Sequence, residues 1–490
     1  MNELKRLRMR NEAFGLDLTD PQAIERRGRE LVGLTFRDVL SLGIFPPDAT
    51  EEERSKDYSR KSYKGGVGNL IEERFYGYRA NSDSDADFAE AGVELKTTCY
   101  DVKRDGDLSA GERLVLSMIP YDRPIAVEYD GSHLRRKAED IMLVYYERDR
   151  LKNNYDQEIK YARLFTPPEE DLAVIREDYR KIAELVRTGR AQNLSESLTS
   201  YLGACTKGMT AATSWATQFY PPHDPAKKRA FCFKRQYMDY VLHHYLMGEA
   251  EAESVAHGSP DFEETVADII NGHRGQTACE LCQLLGIPYT GNKAQWTQIS
   301  YRLLGARDNR AAEFEKAGVS LRTVRLEEGG GRIKESLSLN TFEFMEIVNQ
   351  GWDDSDLCDY LSTTRFLFVI FEKHGDNEVL QGCRFWSMPL GDVNGPAREC
   401  WEHTRDTVRR GVKMTIDDRG RILNDLPGIS DGIVHVRPHA NRAAYRFADG
   451  TEVGDVTRDA SELPDGRAMT RQSFWLSAGY VRDVLRSMGI

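Results

Sequence analysis

No apolar stretch of this 490-residue chain approaches the roughly twenty residues that a membrane-crossing helix needs. The opening Met1-Asn2-Glu3-Leu4-Lys5-Arg6 lacks the apolar segment that heads an exported protein. A cytoplasmic protein is expected. Cysteine is sparse, and its 8 scattered residues suggest free thiols in a reducing compartment rather than a disulfide framework. Cys279 and Cys282 form a CxxC with no second ligand pair nearby, on an apolar helical segment, which favours packing over zinc. No glycine-rich loop followed by Lys-Ser/Thr is present, and Gly329-Gly330-Gly331, lying between two strand-like segments, reads as a hairpin turn. Nothing therefore points to a nucleotide-hydrolysing motor, a helicase or a methyltransferase. His243-His244 lie on an apolar helix, where satisfied or surface histidines outnumber metal ligands. Positive charge is in deficit too: 67 Lys and Arg stand against 79 Asp and Glu, for a net charge of -12. The broad basic footprint of many nucleic-acid binders is missing. Local clusters remain, namely Arg135-Arg136-Lys137, Lys227-Lys228-Arg229 and Lys234-Arg235, and these can line one cleft while acids cover the outside. A solvated surface run is the plain alternative for each.

What is there is a duplication. Asp87-Phe88-Ala89-Glu90-Ala91-Gly92-Val93-Glu94-Leu95-Lys96-Thr97 aligns without gaps on Glu313-Phe314-Glu315-Lys316-Ala317-Gly318-Val319-Ser320-Leu321-Arg322-Thr323. Apolar and small positions persist, while Glu94 becomes Ser320 and Lys96 becomes Arg322. Val93 and Leu95 alternate with Glu94 and Lys96, so a strand would place the carboxylate and the ammonium on one face. That face is expected at the exposed edge of a sheet. With Asp87 upstream, the set offers two oxygen ligands for a hard divalent cation and an adjacent ammonium, the layout of metal-assisted phosphodiester hydrolysis. The pattern alone is short enough to arise by chance, and the duplication is what gives it weight.

The repeat extends outward. Lys64-Gly65-Gly66-Val67-Gly68-Asn69-Leu70-Ile71-Glu72-Glu73-Arg74-Phe75-Tyr76-Gly77 reads as a glycine-rich entry into a short helix ended by Gly77, with a counterpart at 297–305 in which Ser300 replaces Glu72. Downstream, 112–116 resembles 335–339, and the continuous apolar runs 141–146 and 366–371 predict buried central strands. Residues 167–189 carry Leu172, Ile175, Tyr179, Ile182 and Val186 at helical spacing, with Thr166 as the expected N-cap, and 396–411 is the shorter equivalent. Residues 231–237 match 474–480, each ahead of an apolar helix. The acidic, aperiodic 248–254 reads as linker. The expected organisation is a first α/β domain over 1–247, a linker over 248–260 and a second domain over 261–490, each large enough for its own core.

The glycine-rich entry, the Asp87 to Thr97 segment and Ser132-His133-Leu134-Arg135-Arg136-Lys137 resemble successive motifs of the MutH mismatch-repair endonuclease family. The two-domain length, with a second copy altered at its acids, resembles the GATC-cutting type II restriction enzymes of that family. The resemblance covers nearly the whole chain. It implies two tandem restriction-endonuclease-like domains of the PD-(D/E)xK class, each a mixed β-sheet flanked by helices, and Mg2+-dependent double-strand cleavage of DNA. Position by position, it implies Asp87 and Glu94 as metal ligands, Lys96 as the motif lysine and Glu72 as an added helix carboxylate. It implies DNA contacts from Lys64, Gly65, Lys207 and Lys234, from Lys137 near the active site, and from Arg322 and Arg437 in the second copy. Three departures stand out. Cys205-Thr206 replaces the family's Arg-Pro pair, which returns as Arg437-Pro438, Cys232 replaces a tyrosine concerned with adenine methylation, and Ala86 replaces the proline of the motif name.

The leading expectation is a restriction endonuclease acting on double-stranded DNA, alone or as a dimer on DNA, with a cognate methyltransferase protecting the host. Its second domain is expected to lack every catalytic acid, to bind DNA, and to regulate or dimerise the first. A mismatch-repair nicking enzyme is the alternative. A non-enzymatic DNA-binding protein is disfavoured by the joint presence of Glu72, Asp87, Glu94 and Lys96.

Overall fold

The apolar runs 141–146 and 366–371 become interior strands, one in each half of the chain. In the computed structural model the described residues are 15–47, 49–58, 66–80, 85–103, 106–206, 214–307, 310–333, 335–440 and 442–489. The chain divides into two compact units: 1–252 with 257–261 and 315–317, and 253–256 with 262–314 and 318–490.

In the first unit, strand Val93–Val102 pairs in parallel with Asp140–Glu147, which pairs antiparallel with Ile159–Phe165, while Leu108–Ala110 covers only residues 100–102 of the first strand. Parallel pairing requires a crossover, and burial on both faces explains the unbroken apolar run Ile141-Met142-Leu143-Val144-Tyr145. A second, antiparallel sheet orders Leu114–Met118, Arg229–Phe233 and Leu202–Thr206. Leu70, Ile71 and Phe75 pack with Val93, Leu95 and Met142 in one core, each such side chain contributing about 1.5–3 kcal/mol through burial.

The second unit repeats this plan. Strand Val319–Leu326 runs parallel to Arg365–His374, which pairs antiparallel with Asn377–Trp386, and a further sheet orders Leu337–Phe342, Gln472–Leu476 and Val434–Pro438. The registers coincide: Glu94 lies opposite Ile141 as Ser320 lies opposite Phe366, and Lys96 opposite Leu143 as Arg322 opposite Phe368. Even the irregularity is shared, because a bulge falls between Tyr145 and Tyr146 in one half and between Ile370 and Phe371 in the other. A bulge that re-aims a strand at the same place twice is a feature of a common scaffold.

Several local expectations hold. The helix spans Glu169–Arg187, Gly411 ends Arg398–Arg410, and Glu327 and Arg332 close a turn around the glycine triplet through a 2.8 Å backbone bond. His243 is satisfied by Glu249 and the Leu108 carbonyl, and Cys279 and Cys282 are free thiols on Ala278–Leu284. Thr166, however, is not the N-cap of its helix. Pro168 holds that place, and the Thr166 hydroxyl bonds Asp140 instead, because the chain leaves Ile159–Phe165 beside the start of the neighbouring strand. Among the described residues no helix is long and apolar enough to cross a membrane.

Candidate active site

The site begins with a turn. Phe88 and Val93 exchange backbone hydrogen bonds (2.9 and 3.3 Å), and Gly92 sits at φ 69°, a left-handed conformation that a side chain would strain. Folding back in this way sets Asp87 beside Glu94: the Asp87 N–H donates to Glu94 Oε2 (3.2 Å), and the Leu95 N–H donates to Asp87 Oδ2 (2.9 Å). From residue 94 to 98 the strand has a sheet partner on one side only among the described residues, so Glu94 and Lys96 lie on an open edge and share one face.

That edge is not exposed, contrary to expectation. Glu94 is 1 % exposed. Its Oε1 accepts from Lys96, and Lys137, at 3.2 and 3.4 Å from its two oxygens, closes it from the other side. Lys137 comes from helix His133–Ala138, whose N-cap Ser132 accepts from the Arg135 N–H. This lysine therefore sits beside the carboxylate cluster. Burial makes the pairing necessary, since a carboxylate removed from water without a cation would lose its charge.

Glu72 completes the cluster. Gly66–Ile71 continues as a wider π-helical turn, Glu72–Tyr76, which Gly77 ends at φ 71°. Burial first, and the neighbouring Asp87 carboxylate second, push the Glu72 carboxyl up to about 8, against the pull of Lys96. Asp87 is likewise raised by its burial and by Glu94, with Lys96, the Leu95 N–H and Lys137 opposing. Three acids crowded into little solvent repel one another, which is the setting in which a divalent cation is favoured. Among the described residues no group of three or more His, Cys, Asp or Glu is arranged to hold an ion as it stands. Two carboxylates, Asp87 and Glu94, with remaining positions left to water and phosphate oxygens, match the way small hard cations are bound at phosphoryl sites.

Behind Glu72 lies a network that the sequence did not reveal. Tyr58 donates to Glu73 (2.5 Å), Lys56 bonds the same carboxylate (2.8 Å), and Arg74 donates to the Tyr58 hydroxyl (2.9 Å) and to the carbonyls of Glu53 and Arg54. The signal was available: three consecutive charged residues, Glu72-Glu73-Arg74, sit between apolar pairs, and all three are buried.

Other expected DNA contacts fare differently. Lys64, Gly65 and Lys207 lie outside the described residues. Lys234 is 0 % exposed and its ammonium donates to the Thr199 carbonyl (2.9 Å), so it cannot meet a phosphate; it ties the end of Arg229–Phe233 to the segment ahead of Leu202–Thr206. In the second copy, Arg322 bonds Tyr360 (3.2 Å), and Arg437 lies 5.1 Å over the Trp475 ring. One acid does persist there, against expectation. Glu313, the counterpart of Asp87, sits on helix Ala312–Ala317 rather than in a turn, and its carboxylate accepts from the Val255 and Ala256 N–H groups (3.0 and 3.1 Å). It serves as a backbone cap.

The chain is similar to known proteins over most of its length. The family model described as DNA mismatch repair enzyme MutH matches residues 76–178 and 304–384, which contain the two copies of the parallel strand pair. The type II restriction enzyme Sau3AI of Staphylococcus aureus is 31% identical over an alignment of 499 residues, covering 94% of this chain and 97% of the relative. The DNA mismatch repair protein MutH of Pectobacterium atrosepticum is 26% identical over 174 residues, 36% of this chain and 69% of its own. That of Histophilus somni is 24% identical over 241 residues, 47% of this chain and 98% of its own.

Proposed function

The chain belongs to the MutH-like type II restriction enzymes, a family of site-specific deoxyribonucleases, and on that premise we propose that it cuts both strands of DNA at GATC with Mg2+ as cofactor. The observation that carries this reading is the turn that lays Asp87 against Glu94, with Lys96 on the same strand face and Glu72 alongside.

Asp87 and Glu94 would hold the cation, which when bound supplies charge to polarise the scissile phosphoryl group and acidify water. The protein's own part is positional. Lys96, on the same strand face as Glu94, would orient the attacking water and stabilise negative charge building on the phosphoryl oxygens. Lys137, 3.2 Å from Glu94 Oε2, gives that buried carboxylate a second cationic partner. Glu72, whose carboxyl burial and the neighbouring Asp87 push up to about 8, would accept a proton from water in its ionised form. The strand's rigid parallel pairing with Asp140–Glu147 keeps these groups in register.

The first domain, over about 1–247, is the catalytic one in this reading, and the second, over about 261–490, is a related domain that binds a further copy of the target and regulates cleavage or pairs two chains on DNA. A methyltransferase of matching specificity in the same cytoplasm would protect the host. Glu94→Ala and Lys96→Ala should each abolish cleavage of plasmid DNA in Mg2+ while gel-shift binding of target duplex survives; parallel loss of binding would overturn the catalytic assignment. Fragment ends from the wild-type digest should read 5'-phosphate at GATC, and no cleavage should occur in EDTA. Nicked circles without linear product would instead indicate the repair-type activity.

A further inference from the structure

The second unit does more than lose two of the three acids and turn the third elsewhere; it reverses the charge of the site. Ser320 and Arg322 hold the register positions of Glu94 and Lys96. Ser300, at the place of Glu72, is fully buried and donates its hydroxyl to the Trp296 carbonyl (2.7 Å). Glu313 is turned onto the amides of Val255 and Ala256. In place of Lys137, three residues before the paired strand, stands Ser362, and Tyr360 on the same helix holds the Arg322 guanidinium by one Nη.

Over this surface open two adjoining clefts of about 450 and 580 Å³. Lys293, Arg322, Arg325, Arg332 and Arg437 line them, with Trp475 common to both. Glu335 is the acid among the described lining residues, and it is already paired with Lys293 (3.1 Å) and Arg325 (3.5 Å). The Arg322 Nε is buried with no hydrogen-bond partner among the described residues. A buried guanidinium donor left without an acceptor is costly, and it calls for an oxygen-rich ligand.

We infer that Arg322 is a built-in replacement for the divalent ion and lysine of the first half, gripping a DNA phosphodiester so that the second half binds duplex without metal. The inference rests on the reading of this half as a DNA-binding domain. A guanidinium is permanently charged and presents parallel N–H groups that match two phosphate oxygens, which an ammonium does not. The first half without a divalent ion offers phosphate a trio of carboxylates, so the two halves should differ in their need for metal.

Anisotropy titration of the full-length protein with a fluorescein-labelled GATC duplex in EDTA, over a range of salt concentrations, tests this. Wild type should bind. Arg322→Ala should weaken binding about tenfold, the loss expected for a charged hydrogen bond, and make the log–log salt slope shallower by about 0.9, one phosphate contact. Arg322→Lys should keep the slope while losing part of the affinity, and it stands in if the alanine variant fails to fold by thermal melt. Failure of wild type to bind in EDTA would overturn metal independence. If Arg322→Ala binds like wild type while Lys293→Ala with Arg437→Ala loses binding, Arg322 is not the grip although the half binds DNA. If neither alters binding, the DNA-binding reading of this half falls as well.

Discussion

At the scale of single residues, the candidate site is defined by how its charges are compensated. Glu94 is buried between two ammonium groups, whereas Glu72 has acids for neighbours and a carboxyl pushed up to about 8 from 4.5. The sign of the resulting pH effect follows by linkage. Between about 4.5 and 8 the folded protein binds a proton at Glu72 that the unfolded chain releases, so this contribution to stability is complete below the lower value and is lost as pH rises through the upper one. The metal-free protein should therefore show a falling Tm from weakly acid to weakly alkaline pH, and Glu72→Gln, which cannot lose a proton, should flatten that dependence. Calorimetry in EDTA at several pH values checks it, and a variant whose Tm falls as steeply as the wild type would refute it. Tyr58 belongs to the same neighbourhood. Tyr58→Phe removes the hydroxyl shared by Glu73 and Arg74 and leaves two buried charged groups short of a partner. A destabilisation of about 1–3 kcal/mol is expected, read from urea unfolding.

At the scale of elements, the turn from Asp87 to Val93 matters as much as the strand. A Cβ at Gly92 would meet nothing within 4 Å, so the cost of Gly92→Ala is the backbone strain of φ 69° alone, about 1–2 kcal/mol. Relief of that strain would move Asp87 away from Glu94, and cleavage should fall by far more than stability, a split that kcat and unfolding measurements on the same variant would expose. The sequence made part of this legible. Period-two alternation placed Glu94 and Lys96 on one face, and the apolar runs located the central strands, because both signals are local. Burial of Glu94 was hidden, since it depends on Lys137, 43 residues away on a helix. The fate of Glu313 was hidden for a similar reason: an aligned acid looks the same in a turn and in a helix, and its partners lie near residue 255. Lys234 was misread because a Lys-Arg pair suggests surface, while the chain turns that lysine inward to a carbonyl.

At the scale of the whole molecule, the two halves keep one scaffold and divide its chemistry. Strand register, the bulge after Tyr145 and after Ile370, and the positive φ of Gly92 and Gly318 are held in common, so the architecture survived duplication under the constraint of packing. Charge was not so constrained. A net charge of -12 coexists with a cationic cleft in the second unit, which argues for local rather than global attraction to DNA. A second site that binds target without cutting can influence the first only through a difference in affinity between active and inactive states, and couplings of this kind amount to roughly 5–150-fold. A plasmid with two GATC sites should accordingly be cut at least about fivefold faster than one with a single site at equal site concentration. Charge reversal in the second unit by Lys293→Glu with Arg437→Glu should repel the further DNA segment and bring the two plasmids to the same rate. Equal rates for both plasmids with the wild-type protein would limit the second half to a supporting role. Unequal rates that survive the charge reversal would place the regulatory contact elsewhere on the chain.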